Sequence, residues 1–300
     1  VSDVQRRQMT TPTEANVHAL AVEGNFDDCQ AIVKGMFNHF DFRDRVGLSG
    51  VNSINWARIL AQIVYYFVAG VAVGAPHRAV SFTVPTGNFG DIFAGYAAMR
   101  MGLPVDRLVI ATNRNDILVR TLETGRYEMR GVSATISPSM DIQISSNFER
   151  LLAEMHGREG AAVKAMMGSL SQSGSFTIAD GPLGEMRKLF AAGRCGEDQT
   201  AAAIARTHAE TGYLLDPHTA IGVHVAEELG AGEAPMIVLG TAHPAKFPAA
   251  VKAASGVYPA LPEQLEPMMT APERQSVLPA DLGAIERHVE ANARAVKGTA

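Results

Sequence analysis

Between Ser81 and Gly95 the chain reads SFTVPTGNFGDIFAG, with Thr86, Gly87, Asn88, Phe89, Gly90 and Asp91 set between an apolar stretch and a helix-forming one. The two glycines let the backbone turn sharply and aim successive N–H groups at one point. A helix beginning there, through Phe93, Ala94, Gly95, Tyr96, Ala97, Ala98 and Met99, directs its positive end at the same point. The chemistry of that combination is the holding of an anion, a phosphate above all; the competing reading is a turn kept only for tight packing. No Lys-Ser or Lys-Thr follows the second glycine and GxGxxG is absent, so neither a nucleoside triphosphate nor a dinucleotide is favoured.

Asn52, Ser53, Asn55 and Arg58 form a second anion-friendly group, small polar side chains and a cation at a helix start, although plain caps would look the same. Asp91 would repel a phosphate if its carboxylate pointed inward, and it reads as a cap or brace. His218, one turn into a helix capped by Asp216, and His243, before a proline, read as satisfied structural residues rather than general bases. Cys29 and Cys195 have no CxxC or Cys/His spacing. They read as ordinary thiols of a reducing cytoplasm, with no disulfide framework and no metal site implied.

Alternating strands and helices must carry these residues. Asn16 to Glu23 reads as a strand leading into a helix from Cys29 to Phe37, capped by Asp27 or Asp28. A second helix starts after Asn55, and the apolar run from Ile59 to Val73, broken by Gln62, Tyr65, Tyr66 and Gly70, reads as a buried helix too short for a bilayer. Ala79 to Val84 is the strand before the glycine bend, and Pro85 should end its ladder. Arg107 to Ala111 and Pro235 to Leu239 are further strands. Thr200 to Glu210 and the stretch after Asp216 to Leu229 are helices, and a last helix runs from Asp281 to Val296. The pattern predicts an α/β fold with open, mostly parallel sheets flanked by helices. Of the 300 residues 47% are hydrophobic and 19% charged, and the net charge of −5 offers no basic surface for nucleic acid.

The stretches SGVNSINWARI, VPTGNFGDIFAGYAAMRMGLP, SPSMDIQISSNFER, GYLLDPHTAIG and GTAHPAKF together resemble the threonine synthases, pyridoxal-phosphate lyases of fold type II, the tryptophan-synthase-β-like fold. The resemblance runs from Val4 to about Phe247. It implies that Gly87, Asn88, Phe89 and Gly90 wrap the phosphate of pyridoxal 5'-phosphate, and that Thr241 sets a neutral hydroxyl against the pyridine nitrogen. A cap on the loop that follows is the alternative for Thr241. It further implies that Ser53, Asn55 and Arg58 take the phosphate of O-phosphohomoserine, while Asn147 and Arg150 orient a helix or line the same cleft. The reaction implied is conversion of O-phospho-L-homoserine and water to L-threonine and phosphate, a step of threonine biosynthesis in the cytoplasm.

Two departures stand beside that resemblance. The family's phenylalanine-lysine-aspartate motif, which carries the Schiff-base lysine, is not in this sequence; Lys34, Lys164, Lys188, Lys246, Lys252 and Lys297 all stand outside it, and Lys246 reads as surface or structural. The family's serine- and glycine-bearing substrate loop is missing as well. The expectation is therefore an incomplete chain that begins inside a longer protein, with no catalytic residue of its own and no activity alone. Residues 1–45 would be the remainder of a small Rossmann-like domain and 46–300 the large cofactor domain with a helical tail, with exposed apolar faces prone to associate. The alternatives are a related lyase acting on another amino acid and a non-catalytic phosphate-binding module.

Overall fold

The computed structural model describes residues 2–24, 26–230 and 232–297. In chain order the elements are α1 (Asp3–Thr10), β1 (Leu20–Glu23), α2 (Phe26–Asn38), α3 (Phe40–Val46), α4 (Trp56–Ala72), β2 (Val80–Pro85), α5 (Gly90–Arg100), β3 (Val105–Thr112), α6 (Ile117–Thr124) and β4 (Arg126–Glu128). There follow α7 (Phe148–Met155), α8 (Gly160–Ser173), β5 (Ser175–Thr177), α9 (Asp180–Leu189), β6 (Phe190–Arg194), α10 (Glu197–Thr211), α11 (Pro217–Leu229), β7 (Met236–Val238), α12 (Pro248–Ser255), β8 (Ser276–Pro279), α13 (Leu282–Asn292) and α14 (Arg294–Lys297). The side chain of Asp27, one of the two residues expected to cap α2, lies outside the described residues.

Two compact units result, Val1–Gly50 with Leu261–Ala300, and Val51–Ala260. The larger is built on a four-stranded sheet in the order β6-β3-β2-β7, with every pairing parallel. Every residue of β2 is buried, as the apolar, β-branched run before the glycine bend requires of a central strand. Along β3 the side chains alternate. Leu108 and Ile110 pack with Ile59, Tyr66 and Ile92, while Val109 and Ala111 pack with Ile221 and Val225. Helices thus cover both faces, α4 and α5 on one and α11 on the other. Pro85 does not stop the ladder where expected: it pairs with Ala111, and the Thr86 amide still donates to Ala111 O at 2.7 Å. Proline lacks only its own donor, and its neighbour supplies the next bond.

Three other expectations are corrected. The C-terminal stretch does not extend the larger unit. It joins the smaller one, where β8 pairs in parallel with β1 and Ile285 packs with Ile32, Met36, Phe42 and Val46, closing a core that residues 2–50 leave open. The last helix breaks at Ala293, whose backbone is extended, into α13 and α14. The helix from Ile59 to Val73 is not buried all round. Ile59, Ile63, Tyr66 and Gly70 face the core, while Leu60, Val64, Val68 and Val71 are each more than half exposed.

Candidate functional site

At the carboxyl end of β2 the chain enters a cavity of about 880 Å³ lined wholly by residues of the larger unit. Its floor is the bend from Pro85 to Ile92, and Ser139, Met140, His218 and the stretch from Ile237 to Ala242 form further walls. Parallel α/β sheets place ligands at this edge. The bend is held from behind by its carbonyls. Ser145 Oγ donates to Gly87 O at 2.7 Å, and both the amide and Nδ2 of Asn147 donate to Asn88 O at 3.0 Å. Thr86 Oγ1 donates to Val84 O at 2.6 Å. The amides of Gly87, Asn88, Phe89 and Gly90, by contrast, meet no acceptor among the described residues. With its carbonyls drawn one way, the bend turns its N–H groups the other, at the start of α5.

Both glycines are required by close approach. A Cβ at Gly87 would stand 2.5 Å from Ser139 O, and one at Gly90 2.6 Å from Ser53 Cβ. Phe89 is the N-cap of α5 with φ 63, a left-handed backbone that is rare for an aromatic residue. Its ring is buried against Phe148 and Phe190, which fixes that conformation from the core side.

The other expected residues divide. Ser53 and Arg58 line the cavity and Asn55 does not. Asn55 is the N-cap of α4, its side chain accepting from the Ala57 amide at 3.0 Å; Asn52 lines the cavity instead. Ser53 Oγ accepts from Asn147 Nδ2 at 2.8 Å. Arg150 donates to Asn147 Oδ1 at 3.0 Å and to Ile54 O at 2.8 Å and lies over the Trp56 ring. Asn147 and Arg150 therefore act as ties between the two anion-friendly segments rather than as lining. Thr241 lines the cavity, its amide donating to Thr219 Oγ1 at 3.3 Å and its hydroxyl without a partner among the described residues. The capping role that competed for Thr241 falls to His243, whose ring accepts from the Ala245 amide at 3.2 Å.

His218 is at the wall with both ring nitrogens in use: Nδ1 lies 3.0 Å from Asp216 Oδ1, and Nε2 accepts from the Ser139 amide at 3.4 Å. Lys246, expected on the surface or in a structural role, lines the cavity and is half-buried. Sequence reasoning found Arg58 but missed Ser145, Thr219 and the rest of its helical stripe, Gln62, Tyr65 and Ala69, which face the cavity with it from α4. The stripe left a signal, since its polar members interrupt an apolar run at intervals of four and three residues. Burial raises the Asp91 carboxyl above its ordinary range, against the lowering effect of the Tyr65 and Tyr66 hydroxyls and of Arg58. The arrangement can hold a phosphate on backbone dipoles and a second polar group beside Ser53 and Arg58.

A family model described as threonine synthase, C-terminal, matches residues 219–289. The chain is 53% identical over 291 residues to the threonine synthase of Pseudomonas aeruginosa, which covers 96% of this chain and 62% of that protein. Against the threonine synthase of Saccharomyces cerevisiae it is 41% identical over 318 residues, or 97% of this chain and 62% of the relative. Among solved structures, PLP-bound threonine synthase from Brucella melitensis is similar with a TM-score of 0.94 at 63% identity, across 98% of this chain and 63% of that one. The yeast threonine synthase structure gives 0.87 at 39%, across 97% and 62%. The chain thus spans somewhat over three fifths of the length of these relatives.

Proposed function

From the premise that this chain belongs, along the stretch it spans, to the threonine synthase family, we propose that it forms the phosphate-gripping part of a pyridoxal-phosphate enzyme that converts O-phospho-L-homoserine and water to L-threonine and phosphate. One observation carries the reading. Four successive amides, Gly87 to Gly90, meet no acceptor among the described residues and open into a cavity that two glycines keep clear of any Cβ. The residues present fit a phosphate-bearing cofactor, because a cradle of N–H groups at a helix start selects an anion and demands nothing else of it.

Bound there, pyridoxal phosphate supplies an electron-withdrawing ring that stabilises negative charge developing on a substrate carbon. The amides of the bend hold its phosphate. Thr241 offers the ring nitrogen a hydroxyl, which tunes it by hydrogen bonding and leaves it without a full proton. Ser53 and Arg58, with Asn52 in place of Asn55, take the substrate's phosphate at the other segment, where a guanidinium and a hydroxyl favour a dianion. Lys246 is the one lysine among the described residues that lines the cavity; we assign it an anion-binding role and expect no covalent bond to the cofactor there. With Cys29 and Cys195 unpaired, the reading goes with a cytoplasmic enzyme.

The test is titration of the purified chain with pyridoxal phosphate and with pyridoxal. Saturable binding of the first, competed by inorganic phosphate, is expected, and equal binding of pyridoxal would sink the reading. Borohydride treatment followed by peptide mass mapping should find no adduct, and an adduct at Lys246 would overturn its assignment.

A further inference from the structure

We propose that Asp91 is a positioning residue for the glycine bend, acting as the hydrogen-bond acceptor through which α4 fixes the first turn of α5; the proposal rests on the reading of the bend as a phosphate site. The need for such a residue comes from Phe89. A bulky side chain stays in the left-handed region only where its surroundings over-determine it. On the upstream side that condition is met, because Ser145 and Asn147 hold the carbonyls of Gly87 and Asn88, and Phe148 and Phe190 hold the Phe89 ring. On the downstream side the amides of Gly90 and Asp91 meet no acceptor among the described residues, and the first backbone bond into the helix is Phe93 N to Phe89 O at 3.1 Å. The next fixed point is the Asp91 side chain.

Two hydroxyls converge on it. Tyr65 donates to Asp91 Oδ1, and Tyr66 lies 2.9 Å from Asp91 O and 3.1 Å from Asp91 Oδ1. Neighbouring residues on a helix do not normally share a face, yet these two rings stack at 5.3 Å and meet one carboxyl. The sequence also makes room for the contact, since a Cβ at Gly95 would stand 2.6 Å from Tyr66 Cε1. α5 therefore lies on Tyr66 more closely than any other residue at position 95 would allow.

The role is that of an acceptor and not of a charge. Asp91 lines the same cavity as the bend, so an ionised carboxylate would repel a bound phosphate. Burial favours the uncharged form, and Arg58 is set against it. From α4 the carboxyl meets Tyr65, Tyr66 and Arg58, and the strand ends beneath α5, Thr83 to Pro85 and Val109 to Thr112, carry no charged residue.

The experiment measures inorganic phosphate affinity by calorimetry at one fixed pH, with the melting temperature recorded for each variant. Asp91→Asn keeps an oxygen for both hydroxyls and should bind within about threefold of the unaltered chain, while Asp91→Ala and the double variant Tyr65→Phe/Tyr66→Phe should bind about tenfold more weakly or worse. Tyr65→Phe alone changes a partly exposed residue (36% exposed) and should weaken binding in a folded protein, so the inference survives an Ala variant that unfolds. Asp91→Ala binding as tightly as the unaltered chain, or Asp91→Asn binding as weakly as Asp91→Ala, would overturn it. An unaltered chain that ignores phosphate altogether would end the phosphate reading of the bend and this inference together.

Discussion

A single methyl group interrogates the bend. At Gly87 it would meet the carbonyl oxygen of Ser139, a backbone atom that cannot swing away as a side chain can. Gly87→Ala should weaken pyridoxal phosphate binding roughly tenfold or more, the equivalent of ordinary overpacking, in a titration of the folded variant. Asp91 yields a pH prediction. Between the ordinary aspartate value of about 4 and its raised value in the fold, the native chain holds a proton that the unfolded chain has released, so stability falls as pH rises through that window. Asp91→Asn should remove that fall, and urea midpoints followed upward from about pH 4 should be flatter in the variant than in the parent. Persistence of the full slope would mean that another group titrates.

Among the elements, α11 depends most on one residue. Asp216 accepts from the His218 amide at 2.8 Å and the Thr219 amide at 3.4 Å, receives the Thr219 hydroxyl and lies 3.0 Å from His218 Nδ1. Asp216→Ala would strand several buried donors, and a loss of about 2–4 kcal/mol in urea unfolding is expected. Since Thr219 Oγ1 also takes the Thr241 amide, cofactor affinity should fall with it. That helix was legible in the sequence because Asp-Pro at its start is a local signal, as were β2 and the glycine bend. β6 was not, since Ala191, Ala192 and Gly193 have little strand preference. It is a strand because Gly193 lets Val225 approach, a Cβ there falling 2.6 Å away. The three-residue strands β4 and β5 are too short to show a period of two. In the site, the glycines announced themselves, whereas Ser145, Thr219 and the tyrosine pair are single hydroxyls far apart in sequence that only tertiary packing brings together. Asn55 misled because a cap and an anion ligand ask for the same side chain.

At the scale of the whole molecule, the exposed side of α4 presents an apolar stripe of Leu60, Val64, Val68 and Val71. Leu60→Glu with Val64→Glu should leave the unfolding free energy within about 0.5 kcal/mol, both positions being exposed, and should lower any self-association seen in sedimentation velocity. A large loss of stability would mean that the stripe is covered in solution. The pairing of β1 with β8 has a consequence for how the chain comes off the ribosome. Among the described residues, 20–23 pair with 276–279, so the smaller unit cannot close until residues 276–279 have left the ribosome, whereas the larger unit needs nothing beyond residue 260. Nascent chains stalled so that residue 260 has just cleared the ribosome should therefore already resist protease across residues 51–260 while residues 2–50 are still cut.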